Sequence, residues 1–290
     1  MIPYANLHCH SIYSDGQYSP TELVTIAKKE GYRAIALTDH DTVAGCPEMK
    51  AACEREGLEF LLAAEFCVPG HHIIGFGFDP EYPKMKQYLS NMGLRQTDNT
   101  KKCFDLAVSK GNISNVTWDE VLEYNKDVAW LCNNHVYRAI KAKGLAGESG
   151  YMAWYRENFE KQRHIFPPIY DFNTPKAMIE LIHDAGGIAI LAHPHRQIEY
   201  IPKLIEYGLD GVEVWHPKLT VAEMAQLHEI ATEHKLFISG GTDHSGLCGG
   251  FYGSYPSLDE LKKSNHYIPQ LTFGTTREYF DAIAKAIGAK

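Results

Sequence analysis

Short apolar runs that stop at a histidine or an acid recur along this chain, and no other feature narrows its folding as much. Residues 34–38 run into Asp39-His40-Asp41, 60–64 into Glu65, 188–192 into His193-Pro194-His195, 211–215 into His216, and 236–239, through two glycines and a threonine, into Asp243-His244. The stretch 4–10 carries His8 and His10, and a run at 72–77 opens on His72. Uninterrupted apolar text of this length reads as a strand covered on both faces. Helical signals fill the gaps: Ser19-Pro20 opens a helix that Gly31 closes, and others follow at 46–56, 174–185, 199–207 and 220–234. Strand-helix alternation predicts parallel pairing with right-handed crossovers. A barrel built that way gathers all its C-terminal strand ends on one face. One strand-end histidine is ordinarily a satisfied hydrogen-bonding residue. Six such ends, with little comparable chemistry at the opposite ends, point instead to a polynuclear metal site.

The site begins near the start of the chain. If residues 4–10 form a strand, side chains two apart share a face, so His8 and His10 converge while Leu7 and Cys9 point the other way. Asp15 follows a short polar turn ending at Gly16, close enough to fold its carboxylate back over the strand end. Imidazole plus carboxylate suits manganese, iron or zinc.

Composition removes several function classes. At 290 residues the chain fits one barrel with a small insertion. No apolar run approaches the eighteen or so residues of a membrane span, and the N-terminus lacks the basic-then-apolar pattern of an export signal, so a cytoplasmic protein is expected. Seven cysteines, scattered without a Cys-x-x-Cys pair, argue against both a disulfide framework and a thiolate zinc site. A net charge of −8 and the absence of basic runs would repel long nucleic acid. Oligomeric state has no signal here. The strand-helix rhythm breaks between 83 and 168, where the text is helical, polar and aromatic-rich. This reads as an inserted helical subdomain, with 1–82 and 169–290 forming the barrel.

With these motifs in view, the chain resembles the PHP (polymerase and histidinol phosphatase) family of metal-dependent phosphoesterases, in its stand-alone branch with a helical insertion. The resemblance covers nearly the whole length and rests on Leu-His-Cys-His-Ser at 7–11, Ser-Asp-Gly at 14–16, Leu-Thr-Asp-His-Asp at 37–41, Glu65, His-Ile-Ile-Gly-Phe-Gly-Phe-Asp at 72–79, Ala-His-Pro at 192–194 and Gly-Gly-Thr-Asp-His at 240–244. It implies an α/β fold, a distorted (β/α)7 barrel, holding two to three divalent metal ions. A first ion would be held by His8, His10, Glu65 and Asp243, and a second by Glu65, His72 and His193, with Glu65 bridging. A third would use Asp15, His40 and His244. There the sequence departs from the family: the last histidine should stand two residues after the aspartate, but Ser245 occupies that place and His244 is adjacent. His71 competes with His72, and strand alternation favours His72.

Paired cations suit hydrolysis of a phosphate ester, a bridging hydroxide attacking phosphorus while the ions neutralise the other oxygens. His195 and His216 are candidate general acids, and Arg196 a candidate phosphate clamp. In related phosphatases the insertion carries Arg-Pro-His-Ile-Ala; here Asn133-Asn134-His135-Val136-Tyr137-Arg138 stands in its place. His135 and Arg138 are therefore the expected substrate contacts. Trp130, Tyr137, Trp154 and Tyr155 are candidates either for stacking a base or for the subdomain's core. The expected substrate is a small phosphorylated metabolite, such as AMP, a nucleoside 3′,5′-bisphosphate or a cyclic ribose phosphate. Histidinol phosphate, short RNA ends and a non-catalytic metal-binding role are the alternatives.

Overall fold

Seven strands hydrogen-bond in chain order in the computed structural model, which describes residues 3–146, 150–162, 165, 173–243 and 273–289. They are β1 (Ala5–Asn6), β2 (Ala34–Leu37), β3 (Glu59–Val68), β4 (His71–Phe76), β5 (Ile188–Leu191), β6 (Gly211–Trp215) and β7 (Phe237–Gly240). The sheet curls until its edges meet. Leu7 N–H donates to the Gly240 carbonyl (3.1 Å), Asp243 N–H to that of His8 (2.9 Å), and Thr275 pairs antiparallel with Ala5. The fold is thus a nearly closed mixed barrel, as the resemblance implies.

Parallel pairing fails at one strand. β4 runs antiparallel to both neighbours, because β3 turns straight back through Pro69-Gly70, with Gly70 at φ +79°, instead of crossing over by a helix. A left-handed turn residue between two apolar runs makes a hairpin. The reversal explains why a histidine that opens its strand belongs with histidines that close theirs: the start of β4 lies at the C-terminal rim of the parallel strands. β3 also continues three residues past Glu65 to Val68. β1, by contrast, stops at Asn6, so strand alternation does not itself set the directions of His8 and His10.

Residues two apart line the lumen. Ala34 and Ala36, Leu61 and Ala63, Ile74 and Phe76, and Ile190 and Ala192 form one buried cluster with Ala5 and Leu7. Five of these ten residues are alanines, interleaved with leucine, isoleucine and phenylalanine. Phe280 and Ile283 of a C-terminal helix (Arg277–Ala286) belong to the same cluster and plug its lower end. One further step along the same inward rows gives Glu65 on β3 and His72 on β4, so the pleat that packs the lumen also delivers two carriers of chemistry to the rim.

Helices clothe the outside. α1 (Pro20–Lys29) starts at a Ser19–Glu22 capping box and α2 (Cys46–Glu56) on Pro47; with Ile35, Leu37 and Cys9 they bury Leu23, Val24, Met49 and Ala52. Between β4 and β5 lie α3 (Pro83–Ser109), α4 (Trp118–Tyr124), α5 (Asn133–Ala142) and α6 (Gly150–Asn158). Met85, Tyr88 and Met92 of α3 pack into the barrel's outer cluster, whereas Cys103, Phe104 and Ala107 join Val121, Val136, Ile140 and Phe159 in a separate core. Trp130 is buried; Tyr151 stacks on Trp154 and Tyr155, and Tyr137 meets Tyr151 edge-on and Trp154 at a tilt. α7 (Pro175–Asp184), α8 (Ile201–Glu206) and α9 (Val221–His234) cover β5 to β7.

Candidate metal centre

Glu65 is fully buried, and five imidazoles surround its carboxylate. Oε1 lies 2.9 Å from both His72 Nδ1 and His193 Nε2. Oε2 lies 3.3 Å from His8 Nε2, 3.3 Å from His10 Nε2 and 3.2 Å from His40 Nδ1. Asp243 Oδ1 closes on the second group, 3.1 Å from His10 Nε2 and 3.6 Å from His8 Nε2. Asp15 stands beyond them, 3.5 Å from His10 Nδ1 and 3.9 Å from His40 Nε2. Eight residues named from sequence, His8, His10, Asp15, His40, Glu65, His72, His193 and Asp243, are therefore gathered at one rim. His244 lies outside the described residues.

The donor set fits cations. Several trios, among them His8–His10–Asp243, His8–Glu65–His193 and His10–His40–Glu65, hold their ligating atoms within 4.8 Å of one another. His10 Nδ1 is buried with no hydrogen-bond partner among the described residues. Proton bookkeeping points the same way. Burial alone would raise the Glu65 and Asp243 carboxyls, but the histidines about Glu65 and Lys218 beside Asp243 hold both well below the usual range. Burial pulls His8 down, yet Glu213, Glu65 and Asp243 outweigh it and lift its pKa to about 10. Burial wins at His40 and His193, both lowered to about 4. Protons on His8 and His10 thus stand where divalent charge satisfies the same carboxylates. Cys67 Sγ sits 3.4 Å from His40 Nδ1, but burial and then Asp41 raise its thiol well above its ordinary value, and a protonated thiol is no ligand. His193 (φ +28°) and Asp243 (φ +49°) occupy left-handed backbone, strain of the kind that surrounding structure sustains at functional positions.

Supporting residues went unread in the sequence. Glu213 is fully buried in β6; both its oxygens lie 3.0 Å from His8 Nδ1, and Oε2 accepts the His193 backbone N–H (2.7 Å). A carboxylate oxygen only accepts, so His8 Nδ1 carries the proton and Nε2 is left for a ligand role. The signal was available: a charge inside Gly-Val-Glu-Val-Trp is out of place unless something pairs with it. Lys218 Nζ lies 2.5 Å from Asp243 Oδ2. Asp39 accepts from Ser11 N–H (2.7 Å) and from the hydroxyls of Ser11 (2.6 Å) and Ser14 (2.5 Å), fixing the start of the loop that bears Asp15.

The other sequence candidates separate. His216 is fully buried against the rings of His8 and His193; its Nδ1 accepts the Lys218 N–H (3.1 Å), so Nε2 bears the proton, 3.5 Å from Asp243. His195 is part-exposed, and its Nδ1 lies 3.0 Å from both Glu223 oxygens, leaving Nε2 unengaged by that pair. Arg196 is exposed, with its backbone N–H on Glu223. His135 and Arg138 are not brought to the ligands. His135 is fully buried; its Nδ1 accepts Cys132 N–H (2.9 Å) and its Nε2 donates to the Ile12 carbonyl (3.1 Å), while Arg138 donates to the carbonyls of Ile12 and Gly16 (3.1 Å each). Their polar ends are spent on the loop carrying Asp15. His71 faces Gln197 (2.8 Å).

Among known proteins, the PHP domain family matches residues 6–185. A phosphoribosyl 1,2-cyclic phosphate 1,2-diphosphodiesterase of Eggerthella lenta is 28% identical over 252 residues, 84% of this chain and 95% of that protein. A 5′-3′ exoribonuclease of Haemophilus influenzae is 34% identical over 262 residues, 84% and 90% respectively. A crystal structure from Bifidobacterium adolescentis, of a protein classed with the metal-dependent phosphoesterases, superposes with a TM-score of 0.77 at 25% identity, covering 97% of this chain and 96% of that one.

Proposed function

We propose, from the premise that the chain belongs to the PHP domain family and is a metal-dependent phosphoesterase, that it hydrolyses a phosphate ester carried on ribose in a small metabolite: a nucleotide, a nucleoside 3′,5′-bisphosphate or a cyclic ribose phosphate. One observation carries the reading. The Glu65 carboxylate is shared between two imidazoles on one oxygen and three on the other, the arrangement of a bridge between two cation positions. His8, His10 and Asp243 belong to the first position, and His72 and His193 to the second. Asp15 and His40 begin a third that His244 would complete. Manganese, iron and zinc all suit these ligands. When bound, such ions activate water near neutral pH and neutralise charge on phosphate oxygens.

The chain's own groups do the rest. Glu213 holds His8 in the Nδ1–H tautomer and anchors His193. Lys218 and His216 orient Asp243. Glu223, itself tied to the Thr220 N–H at the start of α9 (2.8 Å), fixes His195 so that Nε2 gives a proton to the leaving ribose oxygen. Arg196, exposed beside it, supplies a planar donor fork for a second phosphate group or a nonreacting phosphate oxygen.

Ribose is favoured because the two relatives' activities, on a phosphoribosyl cyclic phosphate and on RNA, have a ribose phosphate ester in common. Cleavage of short RNA from its 5′ end is the second reading, supported by the 34% identity to the exoribonuclease; the net charge of −8 weighs against long chains. The test is phosphate or nucleotide release by manganese-loaded protein from AMP, a nucleoside 3′,5′-bisphosphate, a ribose 1,2-cyclic phosphate, histidinol phosphate and 5′-phosphorylated RNA of two to ten nucleotides. Turnover confined to histidinol phosphate, or absent throughout, rejects the proposal. Turnover rising with RNA length establishes the second reading.

A further inference from the structure

Four side chains of one helical segment converge on the backbone of one loop. The Asn134 amide donates to the Asp15 carbonyl (2.6 Å), His135 Nε2 and one Arg138 nitrogen to that of Ile12, the other Arg138 nitrogen to that of Gly16, and the Cys132 thiol reaches the Ser14 carbonyl at 3.8 Å. Every carbonyl from 12 to 16 except that of Tyr13 thus faces this segment. On the barrel side Asp39 grips Ser11 and Ser14. The loop is folded tightly onto itself: Gly16 N–H donates to the Ser11 carbonyl (2.8 Å), and a Cβ on Gly16 would fall 2.2 Å from the His10 carbonyl oxygen. Held from both sides, it presents Asp15 to His10 Nδ1 and His40 Nε2. The Asp15 side chain is itself about a third exposed, so its position comes from the backbone anchoring rather than from packing.

We infer that α5, through Asn134, His135 and Arg138, is the positioning element for Asp15, and thereby governs whether the cation position that includes Asp15 is filled. The inference rests on the reading of Asp15 as a ligand. It assigns to the helical segment a role other than substrate contact. His135 is built for that role: its one free donor meets a main-chain carbonyl, because its other nitrogen is taken by the Cys132 N–H at the start of α5. Val136 and Ile140 on the same helix lie in the helical core, so α5 ties the loop that bears Asp15 to that core. A main-chain clamp also differs from a ligand in what it asks of a substitution: any side chain that restores the donor restores the function.

The test counts ions rather than turnover. Metal-stripped protein is titrated with Mn(II), following bound ions by elemental analysis and by the electron paramagnetic resonance of coupled and isolated Mn(II), for wild type, Asp15→Asn, His135→Phe, Arg138→Met, His135→Gln and Arg138→Lys. The expected result is that Asp15→Asn, His135→Phe and Arg138→Met each weaken the same ion by at least tenfold and leave the Glu65-centred ions unchanged, while His135→Gln and Arg138→Lys recover most of the loss. Melting temperatures are recorded alongside; an apolar variant that does not fold is replaced in the comparison by its conservative partner, for which a partial loss is expected. Retention of every ion in the α5 variants while Asp15→Asn loses one overturns the inference alone. Retention of every ion in Asp15→Asn shows that Asp15 is no ligand, and the inference falls with that reading.

Discussion

Replacing Glu213 by Gln should loosen the metal centre without touching a ligand. The carboxylate serves two donors, His8 Nδ1–H and the His193 backbone N–H, from a fully buried position. A glutamine keeps one acceptor and turns an N–H group toward the other donor, so one of the two loses its partner. A hydrogen bond to a charged group contributes about 1.5–3 kcal/mol. Loss of a partner that orients a ligating histidine typically costs about 10- to 100-fold in metal affinity, or about 1.4–2.7 kcal/mol. Calorimetric titration of metal-stripped protein with Mn(II) should show that decrease, together with a lower kcat. A second signature appears in the metal-free protein. His8 titrates near pH 10 when folded, above its ordinary 6.5, although burial opposes the rise, because Glu213, Glu65 and Asp243 face it. A raised histidine pKa contributes stability that is fully present below about pH 6.5 and is lost as pH climbs toward 10. The slope is at most about 1.4 kcal/mol per pH unit for one proton. Urea denaturation of metal-free wild type between pH 6.5 and 10 should show this decline, and Glu213→Gln should flatten it. Manganese affinity within twofold of wild type, with an unchanged pH slope, would refute the reasoning.

Three further outcomes are expected. His135, held near pKa 3 first by burial and then by Arg138, is depressed below its unfolded value, so stability should fall as pH drops from about 6.5 toward 3, at up to about 1.4 kcal/mol per unit; urea midpoints across that range should show a slope that His135→Gln reduces. Phe280→Ala, which empties the lower end of the lumen, should cost about 3–5 kcal/mol in chemical denaturation while manganese stoichiometry stays unchanged. His195→Gln should lower kcat by about 10²–10⁴-fold for esters with an alkoxide leaving group, but far less for a p-nitrophenyl ester that needs no proton, and equal losses on both would remove His195 from proton delivery.

Much of the rim was legible because a barrel converts sequence order into place: whatever ends a parallel strand is carried to one face. His40, His193 and Asp243 needed only that rule. His72 was named for its motif rather than from its strand's direction, since the Pro69-Gly70 turn that reverses β4 was passed over in favour of the parallel rhythm. Glu213 was hidden by the opposite error. It sits within a strand rather than at its end, and a search of strand ends does not reach it. The loop contacts of His135 and Arg138 were hidden for a different reason. Helical spacing fixes which of them share a face of α5, but the carbonyls they meet lie 122 to 126 positions earlier in the chain, and nothing local encodes that meeting. The C-terminal helix was equally unread, although Phe280, Ile283 and Ile287 recur at helical spacing, because its partner surface, the lumen, exists only once the barrel has closed.

That closure also dates the metal centre within the life of the chain. Glu65 and His72 are seven residues apart on a hairpin, a unit that forms on the microsecond scale once it has emerged from the ribosome. His8 and His10 are made earlier still, and one flank of their stretch pairs early, β1 with β2 and Cys9 and Ser11 with Thr38 and Asp39; the other flank waits for Gly240 and Asp243, some 230 positions later. A nascent chain halted before β7 lacks Asp243 and the Gly240 and Asp243 contacts that fix the second flank of the His8–His10 stretch. The full set of candidate donors is therefore assembled only when both flanks of β1 are paired, so cation affinity should reach its full value late in folding rather than when the first hairpin forms.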